Sequence, residues 1–125
     1  MEREKKFRYS KDHVWIRQEN DLIRVGITDY IFVELNEIIR IDMPEINSII
    51  KRSEPFISLE SCKAVMDVFT PLSGKIIEIN KQIIKNPEII NKDPFDKGWL
   101  VIIKADNPEE LNKLLSYDDY KNVIG

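Results

Sequence analysis

Cysteine occurs once in this chain, at Cys62, and histidine once, at His13. One cysteine excludes an internal disulfide and a cysteine-rich zinc site, and a lone histidine that no cluster of Cys, His or carboxylate residues accompanies points to a structural role beside Trp15 rather than to a ligand or base. No apolar run approaches the roughly 18 residues of a membrane span. The charged N-terminal stretch also lacks the apolar core of a signal peptide, so the expected location is the cytoplasm. The formal net charge of -3 gives no reason to expect a nucleic-acid or membrane partner. Charge is unevenly placed, with five basic and two acidic residues from Glu2 to Lys11 and the reverse ratio, five acidic to two basic, from Asp106 to Lys121. Both stretches read as solvated faces. With 125 residues there is room for one core, so residues 1–125 are expected to form a single domain.

What the chain does contain is a series of short β-type runs. Trp15-Ile16-Arg17 and Leu22-Ile23-Arg24-Val25, joined by polar residues 18–21, predict an opening hairpin. Thr28 or Asp29 is positioned to cap a short helix running to about Leu35. Ile38 to Ile41 predicts a buried strand closed by Pro44, and Trp99-Leu100-Val101-Ile102-Ile103 a final central one. A weak internal repeat pairs Ile38-Ile39-Arg40-Ile41 with Ile76-Ile77-Glu78-Ile79, and Ser48-Ile49-Ile50 with Gln82-Ile83-Ile84. Two such strand–turn–strand units would pack as a sandwich, each covering the other's apolar face. Asn107-Pro108-Glu109-Glu110 has the cap, proline and acidic residues of a helix start, and Leu111, Leu114 and Leu115 then form one apolar stripe. The pattern is all-β with peripheral helices.

One lysine lies between two of the β-type runs. Pro55-Phe56-Ile57-Ser58-Leu59 alternates like a strand, and Val65-Met66-Asp67-Val68-Phe69-Thr70 is rich in β-branched and aromatic residues up to Pro71. Lys63 is thereby expected near the tip of a hairpin. An isolated exposed lysine is ordinarily a solvated charge. An amine displayed on a tight turn beside the small Ala64, however, suits acylation by an enzyme and later access by partners.

Glu60-Ser61-Cys62-Lys63-Ala64, with Asp67 and the Pro71-Leu72-Ser73-Gly74 turn, resembles the lipoyl-lysine segment of glycine cleavage system H proteins, where valine typically stands at the place of Cys62. The resemblance continues through His13-Val14-Trp15-Ile16, Val25-Gly26-Ile27-Thr28-Asp29-Tyr30, Met43-Pro44-Glu45, Asp93-Pro94-Phe95 and Gly98-Trp99-Leu100, nearly collinear from Tyr9 to Tyr120. It implies a lipoyl-type barrel-sandwich hybrid and lipoate in amide linkage to Lys63. It implies too that Glu60, Ser61 and Ala64 are recognised by the attaching enzyme. The arm so formed would take an aminomethyl group from glycine with the P protein, pass it to the T protein and be reoxidised by the L protein, while the carrier, a monomer, catalyses nothing. A lipoate ligase or octanoyltransferase with lipoyl synthase would install the group. Biotin carriers share the fold, but Cys62 and Ala64 replace the methionines that usually flank their lysine.

Three departures bear on function and backbone. Val14 stands where the family has an acidic residue that, with the aspartate matching Asp67, borders the groove of the loaded arm. Asn36, Asn47 and Ser53 replace usual glycines, and of these only serine is poorly suited to left-handed backbone. Cys62 reads as a small side chain replacing valine, or as a thiol within reach of the dithiolane. Two further readings therefore stand beside the glycine cleavage carrier: a related lipoyl carrier serving lipoate relay to 2-oxoacid dehydrogenases or redox-responsive signalling, and an interaction domain that keeps the fold without the lipoyl group.

Overall fold

The opening hairpin forms as the residue pattern requires. In β2 (Val14–Glu19) the first three side chains are buried and the last three turn toward solvent, and β3 (Leu22–Ile27) pairs with it antiparallel from Val14↔Ile27 to Glu19↔Leu22. The computed structural model describes residues 7–124, so residues 2–6 of the N-terminal basic stretch lie outside the described residues. Its other strands are β1 (Arg8–Tyr9), β4 (Ile38–Asp42), β5 (Ile49–Ile50), β6 (Pro55–Ser61), β7 (Val65–Phe69), β8 (Gly74–Ile79) and β9 (Val101–Ala105). They form a six-stranded sheet in the order β1-β2-β3-β9-β8-β5 and a three-stranded sheet in the order β4-β6-β7. The architecture is mostly β with short helices, two sheets rather than a closed barrel.

Side chains from both sheets share one core. Val25, Ile27, Ile76, Val101 and Ile103 come from the large sheet and Ile41, Ile57, Leu59 and Val68 from the small one. A second, aromatic cluster of Phe7, Tyr9, Trp15 and Tyr120 lies beside it. The Trp15 indole donates to the Pro94 carbonyl at 2.9 Å and lies against Gly26, its register partner, where any Cβ would collide with the ring. Gly74 likewise has to be glycine, because a Cβ there would strike the Lys104 carbonyl across the β8–β9 pair.

Three sequence expectations need correction. The helix after the hairpin, α1 (Ile31–Leu35), begins after Tyr30 without a side-chain cap. Thr28 does not cap it because its hydroxyl is 2.6 Å from the Tyr120 hydroxyl in a buried contact. The internal repeat holds only in its first half: Ile38 to Ile41 and Ile76 to Ile79 are both strands, one in each sheet, and Ser48-Ile49-Ile50 supplies β5. Gln82-Ile83-Ile84 instead lies in α2 (Lys81–Lys85), because Asn80 caps that segment by accepting from Gln82 N at 3.2 Å. A further helix, α3 (Glu88–Lys92), follows. Near the C-terminus the Asn107 cap forms as expected, accepting from Glu109 N at 3.0 Å, but it starts a 3-10 helix over Pro108–Lys113. Leu115 is then captured by backbone pairing with Tyr9, so Leu111, Leu114 and Leu115 never form a helical stripe. The C-terminal α-helix is α4 (Tyr117–Ile124).

Candidate functional site

β6 and β7 form the expected hairpin, and Cys62, Lys63 and Ala64 make its exposed tip. The turn is held from inside by Ser61. Its N–H donates to the Ala64 carbonyl at 2.9 Å, and its buried hydroxyl accepts from the backbone N–H groups of Lys63 (3.1 Å) and Ala64 (3.2 Å). Serine competes well for such local bonds, which is why the turn closes here. Ser61, expected on the recognition surface, is thus turned inward as the organiser of the turn. Lys63 is fixed at its backbone and free at its side chain, with no ion pair among the described residues.

Beside the tip lies an open groove of about 580 Å³ lined by Leu35, Asn36, Glu37, Ile39, Cys62 and Lys63. Sequence reasoning missed the first four. One signal was present: Ile38-Ile39-Arg40-Ile41 cannot alternate cleanly, and the pairing of β4 with β6 shifts register between Ile38 and Arg40, leaving Ile39 half exposed. Cys62 is a free, exposed thiol at the rim.

The outer face of the small sheet continues from the tip in two cross-strand rows. Arg40, Glu60 and Val65 make one row; Asp42, Ser58 and Asp67 make the next. Arg40 pairs with Asp42 at 3.3 Å, a solvent-exposed contact worth about 0–1 kcal/mol. Glu60 and Asp67 have no cationic partner among the described residues. Asp67 and Asp42 border a second shallow groove of about 260 Å³ with Met43 and Phe56. Val14 lines neither groove. Its side chain is completely buried in the main core, so position 14 contributes packing here and no surface shared with Asp67.

The face behind β4 is closed. Asn91 accepts from Ile38 N–H at 2.9 Å and donates to the Ile38 carbonyl at 3.0 Å, mimicking a neighbouring strand, while α2 and α3 pack alongside. His13 takes a structural place: its Nδ1 is 2.9 Å from the Tyr120 hydroxyl and its ring 4.5 Å from that of Tyr30. Burial lowers its pKa, against the opposing influence of Glu34 and Asp12. Among the described residues no group of three or more His, Cys, Asp or Glu side chains could hold a metal, and no helix is long and apolar enough to cross a membrane.

The comparisons with known proteins agree with this geometry. The family model described as "Glycine cleavage H-protein" matches residues 7–125. A glycine cleavage system H protein of Geobacillus sp. (strain WCH70) is 37% identical over 124 residues, spanning 99% of this chain and 98% of the relative. That of Staphylococcus carnosus is 41% identical over 118 residues, 94% of each. The crystal structure of a glycine cleavage system H protein from Mycobacterium marinum superposes with a TM-score of 0.87 at 28% identity, covering 94% of this chain and 95% of that one. A hairpin that presents one pinned, exposed lysine beside an apolar groove and a match along nearly the whole chain lead to one assignment: the chain belongs to the glycine cleavage H-protein family.

Proposed function

We propose that Lys63 carries a lipoyl group in amide linkage and that the protein shuttles an aminomethyl group among the P, T and L proteins of glycine cleavage without catalysing a step itself. The observation that carries this reading is the Lys63 turn, whose backbone is bonded to the buried Ser61 hydroxyl while its side chain stands in solvent. The surroundings fit such a group. Ile39, half exposed on the groove wall, offers apolar surface next to Lys63. Amide formation removes the lysine charge, so a neutral arm lies against that surface at far lower desolvation cost than an ammonium. When bound, the dithiolane supplies disulfide chemistry able to accept the aminomethyl group and be regenerated by reoxidation. The chain's own residues contribute position: Ser61 holds the attachment point, and Asp67 keeps a carboxylate on the adjoining face for a carried amine. Tethering converts bimolecular encounters with successive partners into local ones.

The test is acylation by a lipoate ligase with lipoate and ATP, followed by peptide mass analysis. Modification confined to Lys63 is expected, and Lys63→Arg protein should remain unmodified; equal modification of that variant would overturn the assignment. A second reading, a lipoyl carrier used for relay to other enzymes, is favoured by one observation: Val14 is apolar and buried, which leaves Asp67 without a second carboxylate from that position. Glycine cleavage reconstituted with P, T and L proteins separates the two. Turnover supports the first, and a lipoylated but inactive protein supports the second.

A further inference from the structure

Hydrogen-bonded and open pairs alternate along an antiparallel hairpin. The bond from Ser61 N to Ala64 O sets the phase, so Leu59↔Met66 and Ile57↔Val68 exchange backbone bonds, whereas Glu60↔Val65 and Ser58↔Asp67 do not. The N–H and C=O groups of Val65 and Asp67 therefore point away from β6, along the free edge of the small sheet. Among the described residues no other hydrogen bond engages them. At the opposite edge, β4, Asn91 bonds to Ile38 and α2 and α3 pack alongside, and the edge strands of the large sheet, β1 and β5, are only two residues long. Long open edges invite unwanted pairing and are usually blunted. This one, five residues long and starting two residues beyond Lys63, is left open among the described residues.

We propose that the free edge of β7 is the docking site of the enzyme that acylates Lys63, which adds an extended strand of its own there. The proposal rests on Lys63 being the lipoyl site. Enzymes acting on the far end of the finished arm have no need to approach the hairpin closely. The acylating enzyme does, because Nζ must reach the carbon of an activated carboxyl such as an acyl-adenylate. The new C–N bond forms as the activating group leaves with its electron pair and Nζ gives up a proton. A strand added to β7 would run roughly 4.8 Å away, within the reach of the lysine side chain. Its chemistry is set by what the edge presents: Val65 is 65% exposed, and Asp67 and Glu60 lack cationic partners among the described residues, whereas Arg40 is already taken by Asp42. The matching strand carries an apolar residue beside Val65 and a lysine or arginine beside Asp67. Backbone bonds provide the attachment and these side chains the selectivity.

Comparing Asp67→Asn with Asp67→Pro isolates the backbone contribution, since both remove the charge and only proline removes the outward N–H. Proline is tolerated where an edge-strand N–H faces solvent. With a lipoate ligase, lipoate and ATP, kcat/KM for acylation should fall at least about tenfold further for Asp67→Pro than for Asp67→Asn. Equal rates for the two folded variants would overturn strand addition. Should Asp67→Pro fail to fold, hydrogen exchange of Lys63→Arg protein with and without saturating ligase decides: slowed exchange at the Val65 and Asp67 amides is expected, and unchanged exchange there refutes the docking mode. A parent protein that is never acylated overturns the reading of Lys63 itself, whereas acylation indifferent to proline overturns this proposal alone.

Discussion

Among the described residues, five non-glycine residues hold positive φ: His13, Asn20, Asn36, Asn47 and Ser53, with φ from 60° to 73°. Asparagine tolerates that region because its short amide bonds locally, while serine gains little to offset the crowding of Cβ. Ser53 sits at φ 72° in the turn before β6, its N–H bonded to the Thr70 carbonyl at 2.8 Å. Glycine would keep that bond and relieve the crowding, at the cost of a more flexible unfolded chain. Ser53→Gly is therefore expected to stabilise the protein by about 0.5–1 kcal/mol, read as a rise of a few degrees in Tm. A lower Tm would show that the serine is not strained. This position was legible in the sequence, because the conformational limits of serine are intrinsic. The work of Ser61 was not legible, since a hydroxyl becomes a turn organiser only once the chain has brought the N–H groups of Lys63 and Ala64 to it.

At the level of elements, strands were read more surely than helices. β6 follows the alternation of its residues, β2, β3 and β7 form over the β-branched and apolar runs that marked them, and Lys63 falls at the tip the pattern predicted. Short apolar runs are ambiguous between strand and helix, and Gln82-Ile83-Ile84 was resolved by the Asn80 cap rather than by its own period. What α2 and α3 accomplish lay equally out of view. The Asn91 amide, far from Ile38 in sequence, closes the β4 edge at Ile38 with a donor and an acceptor in one side chain. Asn91→Ala should leave the Ile38 N–H and carbonyl unpaired and cost about 1–3 kcal/mol in denaturant unfolding. Asn91→Asp keeps the acceptor and loses the donor, so an intermediate loss is expected. An Asn91→Ala protein as stable as the parent would mean that water replaces the seal without penalty.

Across the whole molecule, one hydroxyl ties the C-terminal helix to the opening hairpin. Tyr120 of α4 meets Thr28 at 2.6 Å and His13 at 2.9 Å, and its ring stacks on Tyr9 with centroids 4.8 Å apart. Burial pushes the Tyr120 pKa up to about 12 and pulls the His13 pKa below its ordinary value of 6.5. In both residues the folded state favours the uncharged form, but the signs in pH are opposite. For His13 the stabilisation is complete above about 6.5 and is lost as pH falls through its depressed folded value; for Tyr120 it is complete below about 10 and is lost as pH rises toward 12. The junction between α4 and the hairpin is thus weakened from both ends of the pH scale through groups that touch each other. His13→Asn, which keeps a residue tolerant of φ 69°, should flatten the decline in Tm between pH 7 and pH 5 relative to the parent. Tyr120→Phe should lower Tm at pH 7, because Thr28 loses its buried partner, yet lose less additional stability than the parent between pH 10 and pH 12. Parallel alkaline profiles for parent and Tyr120→Phe would remove Tyr120 from the high-pH limit and leave that limit to the other tyrosines and the lysines.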